Sequence, residues 1–403
     1  MCGIAGFCSF DRDFLQNSRK WTQVLVDMRT AIAHRGHDQT GEYLRKHVGL
    51  AHTRLSIRDL AGGAQPMLRR QDGVEYAIVY NGEIYNAEEL KQDLELRGFH
   101  FEPRSDTEVI LCGYMEYGPE IARRLNGIYA FAIWDGGRDT LMLCRDRMGV
   151  KPLFYAEEGD TLVFGSEPKA LFAHPEIHPR ADLDSFREIF GVGPARTPGC
   201  GVFCGLREVK PAQIVTFSRE GRNASIYWSL EAKPHTDSYE QTVETVSWLL
   251  RDAVRRQMVS DVPVCSFLSG GIDSSVVTAL ASRELSAVGG TLNTFSFDFA
   301  HNDVCFRPNS FQPTQDRPYV DRVLALYPLH HTYLECDEVT LADRLEDAVI
   351  MKDLPGMTDV DASLLYFCGL VREHNKVALT GECADEIFGG YPWFYRESLL
   401  NAD

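Results

Sequence analysis

Two different periodicities divide this chain, and they do not belong to one core. Up to about residue 228 the pattern is strand-rich. Val74-Glu-Tyr-Ala-Ile-Val-Tyr80, Ile128-Tyr-Ala-Phe-Ala-Ile-Trp134 and Thr140-Leu-Met-Leu-Cys144 read as buried strands, the last two joined by the hairpin signal Asp135-Gly-Gly137. Among them residues 21–32 carry Trp21, Val24, Leu25, Met28 and Ile32 at helical spacing. The expectation is an α+β domain with sheets packed face to face and flanking helices. A polar stretch follows at 229–239. Beyond it lie an amphipathic helix through Val243, Val246, Leu249, Leu250 and Val254, then strands at 262–268, 294–299, 331–334 and 377–380 alternating with helices. Successive βα units build a parallel sheet, so this half is expected to be a doubly wound α/β domain. The domains so expected are 2–228, a linker at 229–239, and 240–403.

Charge and cysteine usage exclude several roles. A net charge of -17 argues against a broad nucleic-acid surface, because phosphate binding needs clustered Lys and Arg. Any polyanion site must be local. Eleven cysteines without framework spacing fit reduced thiols and a cytoplasmic protein. Cys200 and Cys204 resemble half a metal site, but no second pair follows, and buried packing is the expected use. The N-terminus lacks a signal-peptide core, with charges already at Asp11, Arg12 and Asp13. No apolar run reaches the roughly 18 residues a membrane span needs.

Residue 2 is a cysteine, followed by Gly3-Ile4-Ala5-Gly6. Removal of the initiator methionine would put a thiol and a free α-amine on one residue. An unperturbed α-amine has a pKa of roughly 7.7–8.0, so it can take the thiol's proton and return it to a leaving group. Nucleophile and base would then need no histidine.

A second chemistry is written at Leu268-Ser269-Gly270-Gly271-Ile272-Asp273-Ser274-Ser275, where an apolar strand gives way to an Ala- and Val-rich helix. Two glycines permit close backbone approach to an anion, the helix start offers unpaired N–H groups, and the serines add hydroxyls. Asp273 beside a phosphate implies a cation, so Mg²⁺ is expected. The string is not the Walker pattern, since no Gly-Lys-Ser/Thr follows. A second acidic, glycine-rich turn runs from Thr380 through Gly381, Glu382 and Asp385 to Gly389-Gly390-Tyr391. In a parallel sheet both turns lie at the carboxyl edge, where Asp273 and Asp385 can face one metal–triphosphate.

The motifs Cys2-Gly-Ile-Ala-Gly6, His34-Arg35-Gly36, Arg54-Leu-Ser-Ile57, Asn81-Gly82-Glu83-Ile84-Tyr85-Asn86 and Ser105-Asp106-Thr107-Glu108 together resemble the N-terminal-nucleophile (αββα) glutaminase domain of class II glutamine amidotransferases. With the two later turns added, the whole resembles glutamine-hydrolysing asparagine synthetase, a glutaminase joined to an ATP pyrophosphatase domain. The resemblance implies that Cys2 is the nucleophile and that Arg54 holds the α-carboxylate of glutamine. Glu83 and Asp106 would take its α-ammonium, and the Asn81 amide with the Gly82 N–H would form the oxyanion hole. It further places Leu268, Ser269, Gly270, Gly271, Asp273, Ser274, Phe297, Thr380 and Gly381 around ATP. Glu382 becomes the acidic residue of acyl-adenylate formation, and Asp273 and Asp385 the Mg²⁺ ligands. Substrates would be L-glutamine, L-aspartate and ATP, with no nucleic acid and no membrane; a homodimer stays open. Amidation of another carboxylate, or glutaminase activity alone, are the alternatives.

Plainer readings exist for two of these motifs. Asn81-Gly82 also reads as a hairpin turn, and Ser105-x-x-Glu108 as a capping box. The sequence departs from the family at His37, where proline is usual, a change expected to be tolerated. It also stops at Asp403, where the family continues into a helical region with a basic residue, so a C-terminally truncated chain is expected.

Overall fold

The computed structural model describes residues 1–101, 105–308 and 313–401. The chain forms two compact units, Met1–Pro234 with Val349–Gly356, and His235–Ala348 with Met357–Asp403. The division falls inside the stretch read as a linker. Eight residues from the later sequence, Val349–Gly356, group with the first unit instead of the second.

Among the described residues the first unit contains twelve strands: β1 (Gly3–Ser9), β2 (Gln39–Leu44), β3 (Val48–Arg54), β4 (Met67–Gln71), β5 (Val74–Ile84), β6 (Gly127–Asp135), β7 (Thr140–Arg145), β8 (Phe154–Glu158), β9 (Thr161–Gly165), β10 (Leu206–Glu208), β11 (Gln213–Ser218) and β12 (Gly221–Ile226). They form two six-stranded sheets, in the orders β10-β8-β9-β1-β3-β2 and β12-β11-β7-β6-β5-β4. Ile4, Val48, Leu50 and Phe164 of one sheet share a core with Val79, Ala132, Leu143 and Val215 of the other. Outer faces are covered by helices. Ser18–Ala31 and Pro168–Phe172 pack on the first sheet, and Ala87–Leu96 with Asp106–Tyr117 on the second, giving the αββα layering. Local signals explain the helix starts: Asn17 caps Ser18–Ala31 by accepting from the Lys20 N–H, and Ser105 caps Asp106–Tyr117 by accepting from Thr107 N. At the β6–β7 turn Asp135 Oδ1 accepts from Gly137 N and Arg138 N, the self-bonded turn that its sequence announced.

In the second unit β13 (Val264–Phe267), β14 (Leu292–Phe299), β15 (Leu329–Cys336) and β16 (Val377–Leu379) form one sheet in the order β15-β14-β13-β16. Every pairing in it is parallel. The order reverses between β13 and β16, and the carboxyl edge at that point is the switch point where such sheets bind ligands.

All eleven cysteines are free, and Cys200 and Cys204 are half-buried, not core residues. No described helix is long and apolar enough to cross a membrane.

Two buried histidines set an acid limit on the first unit. Burial pushes His52 down to about 3 and His174 down to about 4. Both stay neutral in the folded chain and protonate near 6.5 once unfolded. Folded values lie below unfolded ones, so the stability they contribute is complete above about pH 6.5 and is lost as pH falls toward those folded values. Each histidine steepens the loss by about 1.4 kcal/mol per pH unit. Thermal unfolding should therefore fall measurably between pH 7 and 5, above the range in which carboxylates titrate. A melting temperature flat across that interval would contradict the assignment.

Candidate active site

Cys2 stands at the mouth of β1, and three features of the fold hold it there. Its Sγ–H donates to Leu55 O at 3.6 Å, its carbonyl accepts from Arg35 Nε at 2.9 Å, and β1 is locked between β3 and β9. Arg35 is itself fixed by Glu167, whose Oε1 lies 2.6 Å from Arg35 Nη1 and 3.0 Å from His34 Nε2. Glycines let these pieces approach. A Cβ on Gly6 would sit 2.4 Å from Gly49 O, and one on Gly36 would sit 2.4 Å from the Arg54 carbonyl carbon. The His34-Arg35-Gly36 motif thus acts on the Cys2 backbone. Nothing in the sequence pattern had given Glu167 a role.

Cys2, Arg54, Asn81, Gly82, Glu83 and Asp106 line one cleft, joined by Arg58, Tyr80 and Lys151. Asn81 is 1% exposed and its Nδ2 has no hydrogen-bond partner. An unsatisfied buried donor costs roughly 1–3 kcal/mol, and a donor kept at that cost in the same cleft as a thiol suits an oxyanion that forms only during reaction. The turn reading of Asn81-Gly82 is corrected here: both lie within β5, paired with Ala130 and Tyr129 of β6. Glycine is required at 82 because a Cβ would meet Ile128 O at 2.2 Å.

Asp106 is buried at the first position of its helix. Its Oδ2 accepts from the Tyr80 hydroxyl at 2.8 Å and from Ile84 N at 3.0 Å. Burial pushes this carboxyl up, opposed by Arg58 and by those hydrogen bonds, so an added cation is favoured there. Glu83 meets Arg58 at 3.9 Å. The capping-box reading fails for a tertiary reason: Glu108 turns away to Arg69.

Arg54 departs from expectation. Nη1 donates to Gln39 Oε1 at 2.7 Å and Leu60 O at 3.4 Å, and Nη2 to Arg58 O at 3.0 Å and Asp59 O at 2.5 Å. Its fork therefore holds the loop that carries Arg58 into the cleft.

Burial pushes the Cys2 thiol up, so the resting group is S–H and a base is needed. In the unprocessed chain the Cys2 nitrogen is a peptide N–H. Only loss of Met1 turns it into that base.

In the second unit the two glycine-rich turns line one cavity of about 390 Å³ at the carboxyl edge of the sheet. Leu268, Ser269, Gly271, Asp273, Ser274, Phe297, Thr380, Gly381, Glu382 and Asp385 all reach it, with Asp298, Asn302, Asp316, Arg317 and Tyr333 added from the β14 and β15 side. Gly270 takes φ +83, and a Cβ there would lie 2.8 Å from Asp316 O. Gly381 packs on the helix start of Ile272–Ala287, where a Cβ would lie 2.6 Å from Ser274 N. That helix has no side-chain cap on its N-terminal N–H groups. The hydroxyls of Ser269 and Ser274 bond each other at 2.9 Å and shape the turn. Phe297 stacks on Phe367 with ring centroids 4.5 Å apart, so it forms a wall of the cavity. A loop with open N–H groups, two glycines where any Cβ would clash, and five carboxylates on one cavity fits a metal-bound polyphosphate.

Residues 1–228 match the family described as glutamine amidotransferase domain, and residues 245–403 match asparagine synthase. A putative glutamine-hydrolysing asparagine synthetase 2 of Methanocaldococcus jannaschii is 32% identical over 97% of this chain and 76% of its own length. The chain belongs to the glutamine-hydrolysing asparagine synthetase family. Asparagine synthetase [glutamine-hydrolyzing] 3 of Bacillus subtilis is 47% identical over 99% of the chain, which spans 64% of that relative's length. Amidase chry2 of Gibberella zeae is 32% identical over 100% of the chain and 61% of its own length. Family membership covers both units.

The Asp106 geometry yields a direct prediction. Asp106→Asn keeps an acceptor for Tyr80 and Ile84 but removes the charge. The KM for glutamine should rise roughly 10- to 150-fold, the equivalent of a charged hydrogen bond, with a smaller change in kcat. An unchanged KM would reduce Asp106 to a helix start.

Proposed function

We propose that this protein makes L-asparagine from L-aspartate, with ammonia taken from L-glutamine and ATP spent to AMP and pyrophosphate. The observation that carries the reading is the buried, unpartnered amide of Asn81 in the same cleft as an N-terminal-ready thiol.

In the first site Asp106 and Glu83 receive the α-ammonium of glutamine, and Arg58, on the loop that Arg54 holds, meets its α-carboxylate. The Cys2 α-amine takes the Sγ proton and the thiolate attacks the side-chain amide carbon. Asn81 Nδ2 and Gly82 N–H then bear the oxyanion. The amine's proton passes to the leaving nitrogen, ammonia departs, and water hydrolyses the thioester to glutamate. In the second site the turn around Gly270 and Gly271 cradles phosphates of ATP, Asp273 and Asp385 would hold Mg²⁺, and Glu382 serves the adenylation step. Bound Mg²⁺ would offset the charge of the phosphates. Ammonia then attacks the β-aspartyl-AMP, giving asparagine and AMP. The free thiols suit a cytoplasmic location.

A second reading keeps both sites and changes the acceptor carboxylate. It is favoured by the fungal amidase, whose likeness extends over the whole chain. The test incubates the protein with glutamine and Mg-ATP and follows glutamate, pyrophosphate and the amide product with and without aspartate. Pyrophosphate release that requires aspartate supports asparagine as product. Release that responds only to other carboxylates selects the second reading, and no adenylation with any acceptor overturns both.

A further inference from the structure

The loop 146–151 is tied down from both sides. Asp146, 1% exposed, accepts from Met148 N and Val150 N on Oδ1, and from Tyr129 N and Lys151 N on Oδ2, at 3.0–3.2 Å. Arg145 closes the other side, with Nε on Lys151 O and Nη2 on Gly149 O, each at 2.7 Å. Gly149 adopts φ +69 beneath that guanidinium. These bonds fix the backbone at Lys151 and aim its side chain into the Cys2 cleft, where the residue is 8% exposed. Its Nζ donates to Met1 Sδ at 2.9 Å. A thioether is a weak acceptor, and no described carboxylate lies within ion-pair distance of Nζ. Burial pushes this ammonium down, and what holds its charge is the longer-range field of Glu83 and Asp146, not the thioether.

The carboxylates around it are committed elsewhere. Asp38 accepts from Ser56 N, Glu83 meets Arg58, Asp106 accepts from Tyr80 and Ile84, and Asp146 holds the loop. Arg54 serves the loop 58–60, and Arg35 holds the Cys2 carbonyl. The cations that act on the chain start are Arg35 and Lys151, opposed by Cys2 and Asp38.

We propose that Lys151 is a positioning residue for the nucleophile: once Met1 is removed, its Nζ faces the Cys2 α-amine and keeps that amine uncharged and able to accept a proton. The inference rests on Cys2 being the N-terminal nucleophile. Two cations in a dry cleft repel, and the amine, with the lower intrinsic pKa, is the one that gives up its proton. The neutral amine then takes the proton from Cys2 Sγ. The thiolate left behind gains the Lys151 ammonium as a partner, forms the C–S bond to the amide carbon, and the amine's proton leaves with ammonia as the C–N bond breaks. The Met1 amine in the present chain behaves accordingly: it is pushed down to about 5, by burial first, with Arg35 and Lys151 acting in the same direction.

The test compares pH profiles of kcat/KM for glutamine hydrolysis in the unaltered protein, Lys151→Met and Lys151→Arg. Lys151→Met should move the acid limb up by about one pH unit, a roughly tenfold deficit below the limb that closes by about pH 9. Lys151→Arg retains the cation and should keep the limb near its original position. The rate of Cys2 alkylation by iodoacetamide should shift with pH in the same way, a readout independent of turnover. Should Lys151→Met fail to fold, Lys151→Gln carries the same comparison. An equal loss at every pH, or coincident limbs in the unaltered and Lys151→Met proteins, overturns the inference while leaving the nucleophile in place. Hydrolysis that survives Cys2→Ala overturns the underlying reading instead.

Discussion

Cys2→Ala should abolish glutamate release, lowering kcat on the order of 10⁴-fold or more, as loss of a covalent nucleophile does elsewhere. The effect should be confined to chemistry. Asp106, Glu83 and Arg58 lie on β5, its neighbouring helix and the 58–60 loop, so glutamine should still bind. Cys2→Ser is expected to be nearly as inactive, because a hydroxyl is a far weaker nucleophile at the amine's pKa. Intact-mass measurement should find the active protein beginning at Cys2. The thiol is held protonated by burial, so a chain retaining Met1 has neither a ready thiolate nor a base beside it. Substantial hydrolysis by Cys2→Ala, or full activity in a chain that keeps Met1, would sink the assignment.

Gly381→Val should remove ATP binding and leave glutamine hydrolysis intact. A side chain there would start 2.6 Å from Ser274 N and 2.9 Å from the Asp273 carbonyl carbon, so the helix start that faces the cavity must shift. Each charge-assisted hydrogen bond lost to a phosphate costs about 1.5–3 kcal/mol, so two such losses weaken binding by at least two orders of magnitude. Asp273→Asn is the milder companion: it should weaken Mg-ATP while changing metal-free ATP little. Calorimetric titration of the variants with ATP, with and without Mg²⁺, decides the matter. Retained Mg-ATP affinity in Gly381→Val would mean that the cavity is not the nucleotide site.

Much of this was readable in the one-dimensional pattern. The apolar runs at 74–80, 128–134 and 140–144 became the middle of the second sheet, and the alternation after residue 262 became β13 to β16. Period and composition suffice there, because a strand or amphipathic helix is specified by its own neighbours. The glycines at 270 and 381 were legible as places of close backbone approach, since only a glycine tolerates those contacts.

What stayed hidden depends on partners far away in sequence. Asn81-Gly82 has the local signature of a turn, yet pairing with β6 keeps both residues in a strand and leaves the Asn81 amide buried and unsatisfied. Ser105-x-x-Glu108 has the letters of a capping box, but Arg69 claims Glu108. Arg54 was legible as a cation of this cleft; its commitment to Gln39 and the 58–60 carbonyls was not. Glu167 and Lys151 carry no motif of their own, and they reach the Cys2 backbone and cleft only because β1 lies between β3 and β9 and because Arg145 and Asp146 brace the loop. The sequence by itself determined the two units, their elements and the residue types offered for chemistry, because those follow from local periodicity and from single residues. Tertiary structure alone decided which donors stay unpaired and which charges meet, because both are set by register between strands dozens to more than a hundred residues apart.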